Sequence, residues 1–312
     1  MTPIKTLAAF LLLFITLLPT GFTESPDEHD PAKAAVGLLS KVNKELKLRH
    51  ISEFEIPNNP TVSPTHDTLS QREIIWVGFS PQINGQLMPD SFEIVAFYRS
   101  LALGQLGASS TPIKPAWTSK QAIKEALSWY QDIIGKFPAN TGTPIVEYSA
   151  PAYNPPKYYD GEWMVKWPRT DARGNWFALD AITITVNEKH GITSLVKNFV
   201  SEFSENTKVA VSEKEAIEIA RPLAKKLLKS PLTSQWSTGL AIEGGGTAKM
   251  WIINPNHILK YENIEDMATA GDLEARLAWV VKFRASNSDG LGSNIFVWVD
   301  AENAEILGGD FQ

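Results

Sequence analysis

Cysteine is absent from the 312-residue sequence, and histidine occurs only five times. A chain without cysteine has no disulfide, no thiolate zinc site, no cysteine nucleophile and no ligands for an iron–sulfur cluster. The five histidines are scattered without the spacing of a metal site, and no His-Glu-x-x-His motif occurs. We therefore predict no metal site and no cofactor.

The charge balance and the lack of long apolar runs limit the partners. Lys and Arg total 29 against 35 for Asp and Glu, which gives a formal net charge of −6 without any basic block. This balance disfavours binding to nucleic acids or to anionic lipid. Beyond the N-terminus, no stretch approaches the roughly eighteen apolar residues of a membrane-spanning helix. We expect no nucleic-acid partner and no stable membrane insertion of the mature chain.

Residues 1–23 have the pattern of a secretory signal peptide. Lys5 supplies a positive charge, Leu7–Leu18 is an apolar core too short to span a bilayer comfortably, and Thr23 is the expected cleavage position. An uncleaved membrane anchor is the alternative. Exported chains without cysteine are common in the bacterial envelope and unusual among small secreted eukaryotic domains. We therefore expect a periplasmic or extracellular bacterial protein.

A repeated pattern with a period of roughly 90 residues begins with a helix. The apolar stripes at helical spacing are Ala35, Leu38, Leu39, Val42 and Leu46, then Ile123, Ala126, Leu127, Tyr130 and Ile134, then Ile217, Ala220, Ala224 and Leu228. Thr118 with Gln121 and Ser212 with Glu215 have capping-box spacing, which predicts where the second and third helices start. Pro222 lies inside the third stripe, so we expect that helix to kink or restart there.

Segments of alternating apolar residues follow each predicted helix, as in β-strands. The predicted strands are Ile75–Phe79, Phe92–Ala96, Trp163–Trp167, Ile182–Val186, Lys249–Ile253, Trp279–Phe283 and Ile295–Val299. Polar or proline-rich runs, such as Pro57–His66, are predicted as linkers between these parts.

The fold class is therefore predicted as α+β, with tandem units of one helix packed on a small antiparallel sheet. The predicted boundaries are 1–23 for the signal peptide, 24–110 for a divergent unit 1, 111–204 for unit 2 and 205–312 for unit 3. An ordinary α+β protein without internal repeats is the alternative.

Three stretches near the C-terminus carry a distinctive combination of strand and turn residues. They are Met250–Ile253 followed by Asn254-Pro255, Arg276–Val281 and Val297–Leu307. These stretches resemble the PepSY-type module of thermolysin-like protease propeptides and of exported bacterial proteins with tandem copies. The resemblance covers residues 212–310 well, 118–198 moderately and 30–103 faintly. It implies a non-catalytic binding or inhibitory role, often toward peptidases or in envelope assembly.

The turn that ends the motif departs from the pattern of that family, which usually has a Thr-Gly pair there. Unit 2 keeps the glycine as Gly191, whereas unit 3 has Asn303-Ala304. Asparagine tolerates the left-handed conformation better than most residues, so we expect Asn303 to adopt it.

Catalytic motifs are sparse. Ser194 and Lys197 have Ser-x-x-Lys spacing, but the companion motifs of that enzyme class are missing. Gly244–Thr247 lacks the lysine of a phosphate loop and is predicted as a flexible turn. Asp160 and Glu162 have the composition of a carboxylate pair, but the surrounding glycine and prolines indicate an exposed turn. We predict no catalytic residues and no enzyme activity, with an enzyme of unrecognised type as the remaining alternative.

The ten tryptophans are the unusual feature of the composition. Alternation places Trp163, Trp167 and Trp279 on the predicted core side of their strands. It places Trp76 and Trp298 on the opposite side, where they are candidate partner-binding residues.

Two functions agree with these patterns. The first is an exported, non-catalytic binding or regulatory protein that engages a protein or peptide partner, such as a peptidase, in the cell envelope. The alternative is a carbohydrate- or cell-wall-binding protein that uses exposed tryptophans as stacking platforms.

Overall fold

The computed structural model describes residues 30–311, apart from 57–58, 68–71, 103–104, 107, 112, 151–157, 200, 205–206, 230–238, 257–273 and 288–291. The predicted signal peptide lies outside the described residues. Residues from Pro31 onward form one compact unit. None of the helices in the described ranges combines the length and the hydropathy required to cross a membrane.

Helices and strands occur in three successive groups along the described chain. The first group is α1 (Pro31–Leu48), β1 (Thr61–Asp67), β2 (Arg72–Ser80), β3 (Ile83–Leu87), β4 (Ile94–Arg99) and β5 (Ala108–Ser109). The second is α2 (Ser119–Ile133), β6 (Ile145–Ser149), β7 (Tyr158–Tyr159), β8 (Glu162–Thr170), β9 (Trp176–Asn187), β10 (Gly191–Asn198) and β11 (Glu202–Phe203). The third is α3 (Glu213–Leu227), β12 (Ala241–Ile253), β13 (Glu274–Ser286), β14 (Gly292–Asp300) and β15 (Ile306–Phe311).

The helices form where the apolar stripes and caps predict them. All five stripe residues of α1 are buried. Thr118 and Ser212 accept hydrogen bonds from the backbone N–H of Gln121 and Glu215, and both capping boxes are complete. The expectation that the third helix restarts at Pro222 is wrong, because α3 continues through it. Pro222 is exposed, so water can bond the backbone carbonyl that its missing N–H leaves free.

Thirteen of the described strands form one mixed sheet. Its main path runs β1-β2-β3-β4-β10-β9-β12-β13-β14-β15, while β8 pairs with β6 and β9, and β11 pairs with β13. Most neighbours are antiparallel, but β12 joins β9 in parallel through two residue pairs, Trp251 with Trp176 and Ile252 with Phe177. β5 and β7 form a separate two-stranded ladder.

The predicted fold class of tandem units, each with its own small antiparallel sheet, is wrong. If each unit had its own sheet, β4 and β10 would be edge strands of two different sheets. Instead they pair with each other, and Phe97 lies opposite Leu195. Unpaired strand edges expose backbone N–H and C=O groups, and joining the edges satisfies those groups. The helices α1 and α2 also cover one shared core. The boundaries predicted at 110/111 and 204/205 stay a prediction.

Two hydrophobic clusters supply most of the core. The larger lies under α1 and α2 and includes Leu39, Leu46, Phe97, Trp129 and Tyr130. The second lies between α3 and its strands and includes Ala220, Ala224, Phe283, Val297 and Val299. The predicted core positions of Trp163 and Trp167 are confirmed, because both are buried, while Trp279 is half-buried against the second cluster.

Several strands form in segments predicted as linkers or turns. β1 lies largely inside the predicted linker Pro57–His66 and carries Pro64, which an edge strand tolerates because one side of its backbone has no ladder to complete. Gly244–Gly246 is part of β12 rather than a flexible turn, and the pairing with β13 shifts between Glu243 and Thr247. This β-bulge requires a glycine at position 246, because a Cβ there would lie only 2.7 Å from the Phe283 ring.

Two turns with the same geometry follow β9 and β14. In each, the first side chain accepts hydrogen bonds from the backbone N–H groups two and three residues later, and the fourth residue after it has a positive φ. The first turn starts at Asn187 and places Gly191 at φ +73°. The second starts at Asp300 and places Ala304 at φ +63°. The expectation that Asn303 adopts the left-handed conformation is therefore wrong, because Ala304 adopts it.

Candidate functional site

Trp298 lies on β14 with its side chain on the side of the sheet opposite to α3. Its strand neighbours Val297 and Val299 are buried beneath α3, and Trp298 is half-buried in a different cluster. Trp298 pairs with Val280 on β13 and with Gly308 on β15. The expectation that Trp298 faces away from its helix is confirmed, and its partner-binding role stays a prediction.

Three further aromatic side chains lie near Trp298 on this helix-free side. We define the aromatic face as Trp176, Trp251, Phe296 and Trp298, all half-buried. The last three pack on a small cluster formed by Ile253, Ala278, Val280 and Leu307. The ring centroids of Trp176 and Trp251 are 6.1 Å apart. The aromatic face therefore combines large half-buried rings with an aliphatic floor.

Charged residues surround the aromatic face. Arg276 binds the Asp300 carboxylate and the Glu305 carboxylate, each at 2.8 Å. Lys282 is exposed, and its Nζ lies 5.9 Å from the centroid of the Phe296 ring. The rim of the aromatic face is therefore polar and partly basic, while the centre of the face is apolar.

Trp76, the second predicted partner-binding residue, lies far from Trp298 in the strand order. It is half-buried on β2, on the side away from the buried Val77 and Phe79. Its indole covers Gly78, where a Cβ would fall 2.0 Å from the ring. The structure does not bring Trp76 and Trp298 together into one site.

Arg99 is the last residue of β4, and its side chain lies on the same side of the strand as that of Phe97. Arg99 is buried, with only 7% of its surface exposed. Nη2 donates a hydrogen bond to the carbonyl oxygen of His190, and the guanidinium carbon lies 5.6 Å from the centroid of the Phe54 ring. Nε is buried and has no hydrogen-bond partner among the described residues. Burial lowers the pKa of Arg99 to about 10, while the negative charge of Glu162 acts in the opposite direction.

Two neighbouring clefts meet at Arg99. The first has a volume of about 400 Å³, and most of its lining residues carry a hydroxyl or a carboxylate: Tyr98, Ser100, Glu162, Thr185, Thr193 and Ser194. The second has a volume of about 530 Å³, and its lining includes Glu53, Phe54, Gln82, Gln105 and His190. Arg99 is thus the cationic group shared by both clefts.

The carboxylates that were predicted to lie on an exposed turn are in fact structural or cleft-lining groups. Asp160 is buried and its carboxylate binds Lys189 Nζ at 2.6 Å. Glu162 is half-buried on β8 and lines the first cleft. The Ser-x-x-Lys pair is also separated, because Ser194 bonds to Thr185 while Lys197 bonds to Glu93. Within the described ranges, no three His, Asp or Glu residues are grouped to hold a metal ion.

Sequence reasoning missed Trp251 and Arg99. The signal for Trp251 was present, since it alternates with Met250 and Ile252 in the predicted strand Lys249–Ile253. The signal for the cleft was the position of Arg99. It follows Phe97 by two residues and therefore places a charge on the inward side of the strand.

The comparisons with known proteins find similarity at the level of structure. No protein-family profile matches the chain, and no curated protein matches it. Among solved structures, the chain is similar to the Bacillus megaterium YpeB C-terminal domain, with 8% identical residues and a TM-score of 0.37. The superposition covers 93% of this chain and 99% of that chain. A similarity of this degree assigns neither fold nor function.

Proposed function

We propose that this chain is an exported, non-catalytic binding protein that engages a protein or peptide partner of the bacterial cell envelope through the aromatic face. The observation that carries the proposal is the set of four half-buried rings on the helix-free side of β9, β12 and β14. The resemblance to PepSY-type modules favours a secreted peptidase as the partner that is regulated.

The aromatic face has the composition of a protein-binding hot spot. Tryptophan and arginine are enriched among the residues that dominate interface energies, and such residues sit in an apolar centre with a polar rim. Trp251 and Trp298 are two strands and two residues apart, which corresponds to roughly 12 Å at ordinary strand spacing. A short peptide segment or a loop of a partner could contact both rings together.

The apolar character of the face favours a polypeptide over a polysaccharide. Ile253, Val280 and Leu307 are buried beneath the rings, so the surface that a partner would cover consists of the exposed parts of the rings themselves. A sugar-stacking platform needs a flat ring with nearby hydrogen-bonding groups, whereas Arg276 at the rim already binds two carboxylates. Carbohydrate binding is therefore the alternative that the experiment must separate.

The non-catalytic part of the proposal is supported by the bonding of the candidate residues. Catalysis by a serine nucleophile requires a base in hydrogen-bond contact with the serine hydroxyl. Ser194 Oγ instead donates to Thr185 Oγ1 at 2.9 Å, and Lys197 is engaged by Glu93.

The test is affinity capture from native envelope extract with the chain from residue 24 onward as bait, followed by mass spectrometry. Trp298→Ala and Trp251→Ala should each reduce capture of the same polypeptide by about tenfold or more, the loss expected when a hot-spot ring is removed. Leu48→Ala is the control, because it truncates an exposed apolar side chain on α1. Trp76→Ala tests the other predicted binding residue.

Each variant is first shown to be folded by circular dichroism. Capture that is unchanged in both aromatic-face variants would overturn the proposal. Retention of the wild type on insoluble polysaccharide, lost in the same two variants, would instead support the carbohydrate-binding alternative.

A further inference from the structure

The ladder between β9 and β12 is the shortest link in the main path of the described sheet. It is parallel and consists of two residue pairs, Trp251 with Trp176 and Ile252 with Phe177. Parallel pairing is slightly less stable per residue than antiparallel pairing. Contacts beyond these two pairs therefore have to hold the angle at which β9 and β12 meet.

The same ladder carries two rings of the aromatic face. Trp176 belongs to β9 and Trp251 to β12, and their ring planes are inclined by 39° at a centroid distance of 6.1 Å. Because the two rings stand on different strands, a change in the distance or the angle between β9 and β12 alters the shape of the aromatic face.

A buried polar bridge joins the two strands just beyond the end of the ladder. We define the polar bridge as Asp180, Ser201 and Asn254, all buried. Asp180 comes three residues after Phe177 on β9, and Asn254 comes two residues after Ile252. The Ser201 hydroxyl lies 2.8 Å from the Asp180 carboxylate and 2.8 Å from the side-chain oxygen of Asn254. This hydroxyl therefore links the strands where their backbone pairing stops.

Further hydrogen bonds to a charged group anchor Ser201 on the β9 side. The Ser201 N–H donates to the Asp180 carboxylate at 3.1 Å. Arg169 Nη1 donates to the same carboxylate at 2.7 Å and to the Ser201 carbonyl oxygen at 3.0 Å. Hydrogen bonds to ionised groups are stronger than those between neutral groups. Asp180 and Arg169 thus hold Ser201 in place, and the Ser201 hydroxyl reaches Asn254 at the end of β12.

A bridge of this kind specifies one arrangement of the strands. Hydrogen bonds weaken steeply when their distance or angle departs from the preferred values. A buried polar group that loses its partner also retains the cost of its removal from water. The polar bridge is therefore satisfied in the arrangement of β9 and β12 that places Trp176 beside Trp251.

We propose that Ser201 is a positioning residue for the aromatic face. Its hydroxyl fixes the separation and the angle of β9 and β12, and thereby the arrangement of Trp176 against Trp251. Ser201 is buried and acts through the two strands rather than by contact with a partner. This role in binding rests on the proposed function, but the ring arrangement that Ser201 controls can be measured on the protein alone.

The test is the exciton couplet of the two indoles in the far-ultraviolet circular dichroism of the chain from residue 24 onward. Two neighbouring indoles with inclined planes couple their electronic transitions, and the coupling falls steeply with their separation. The couplet is the difference between spectra recorded with and without Trp176→Phe, at a temperature below unfolding. Introducing Ser201→Ala should at least halve the amplitude of this difference.

Ser128→Ala is the matched control. It removes a hydroxyl of the same size that accepts from Arg49 and donates to Asp132 at the helices, away from the β9–β12 junction. Its couplet should keep the wild-type amplitude. Asn254→Ala breaks the polar bridge from the β12 side and should reduce the couplet as Ser201→Ala does, so it decides the matter if Ser201→Ala does not fold.

Four results would overturn the proposal. The first is a wild-type spectrum without a couplet that depends on Trp176. The second is an unchanged couplet in folded Ser201→Ala or Asn254→Ala. The third is an equal loss in Ser128→Ala, which would show that any missing hydroxyl disturbs the rings. The fourth is a reduced couplet with undiminished partner capture by Ser201→Ala.

The proposed function is tested separately. Capture by Trp251→Ala and Trp298→Ala decides whether the aromatic face binds a partner, whereas the couplet is measured without any partner. An unchanged couplet in Ser201→Ala therefore removes the positioning role and leaves the binding role of the aromatic face intact.

Discussion

Gly191 should be intolerant of a side chain for two separate reasons. Its φ of +73° lies in the left-handed region that L-residues avoid. A Cβ built on it would lie 2.8 Å from the Trp129 ring, 3.0 Å from Leu46 and 3.1 Å from Ile51. Trp129 and Leu46 belong to the larger core cluster, so neither can move away freely.

These contacts set the expected size of the effect of Gly191→Ala. The positive φ costs an L-residue about 1–2 kcal/mol, from which about 0.5–1 kcal/mol is recovered because alanine has less freedom in the unfolded chain. Overpacking a well-packed core adds about 1–3 kcal/mol. We expect Gly191→Ala to lower the free energy of unfolding by about 1–4.5 kcal/mol, with a central value of about 3 kcal/mol.

The measurement is urea unfolding followed by circular dichroism, with Gly174→Ala as the matched control. Gly174 has a similar φ of +85°, but its added Cβ would meet no atom within 4 Å. The control should lose only the backbone part, about 1 kcal/mol or less. Equal losses in the two variants would show that the contacts with Trp129 and Leu46 relax at no cost, and would refute the reasoning.

Three further predictions concern stability. Glu188→Ala should lower the free energy of unfolding by about 2 kcal/mol, since its carboxylate accepts from two backbone N–H groups and from a buried indole; an unchanged urea midpoint would contradict this. Burial raises the pKa of Asp171, but hydrogen bonds from Asn175 and Arg173 outweigh burial and lower it. The ionised Asp171 carboxylate therefore stabilises the fold at pH values above about 3.9, its pKa in the unfolded chain. The difference in unfolding free energy between the wild type and Asp171→Asn should shrink as the pH falls through the pKa of Asp171 in the folded protein, which is lower still. A difference that does not change with pH would contradict this. Trp298→Ala should lower the free energy of unfolding by about 2 kcal/mol, because the buried part of a large ring loses its contacts, and an unshifted melting temperature would show that the ring contributes nothing to the fold.

The elements that could be predicted from sequence are those fixed by local physics. The stripe of α1 and the capping box at Thr118 each involve residues within a few positions of one another, so both were found. β1 was missed because an edge strand that carries Pro64 has no apolar alternation. The pairing of Phe97 with Leu195 was missed because no local pattern specifies which distant strand completes an edge.

The candidate sites also divide into features set by local sequence and features set by the pairing of distant strands. The outward direction of Trp298 followed from the two-residue period of a strand. The cleft at Arg99 could not be predicted, because its wall comes from β4, β8, β9 and β10, and only the sheet pairing brings those strands together.

The pairing of β4 with β10 also constrains the order in which the chain can fold. Residues 96–98 find their partners, 194–196, on the order of 100 residues later, so synthesis from the N-terminus leaves β4 paired with β3 on one side only, with its other edge open, while α2, β8 and β9 are still being made. During that interval the backbone of β4 is an exposed template for strand addition by another chain. An N-terminal fragment ending before β10 should therefore be prone to association, and a chaperone or translocation factor that shields β4 would act on this protein before its last third is made.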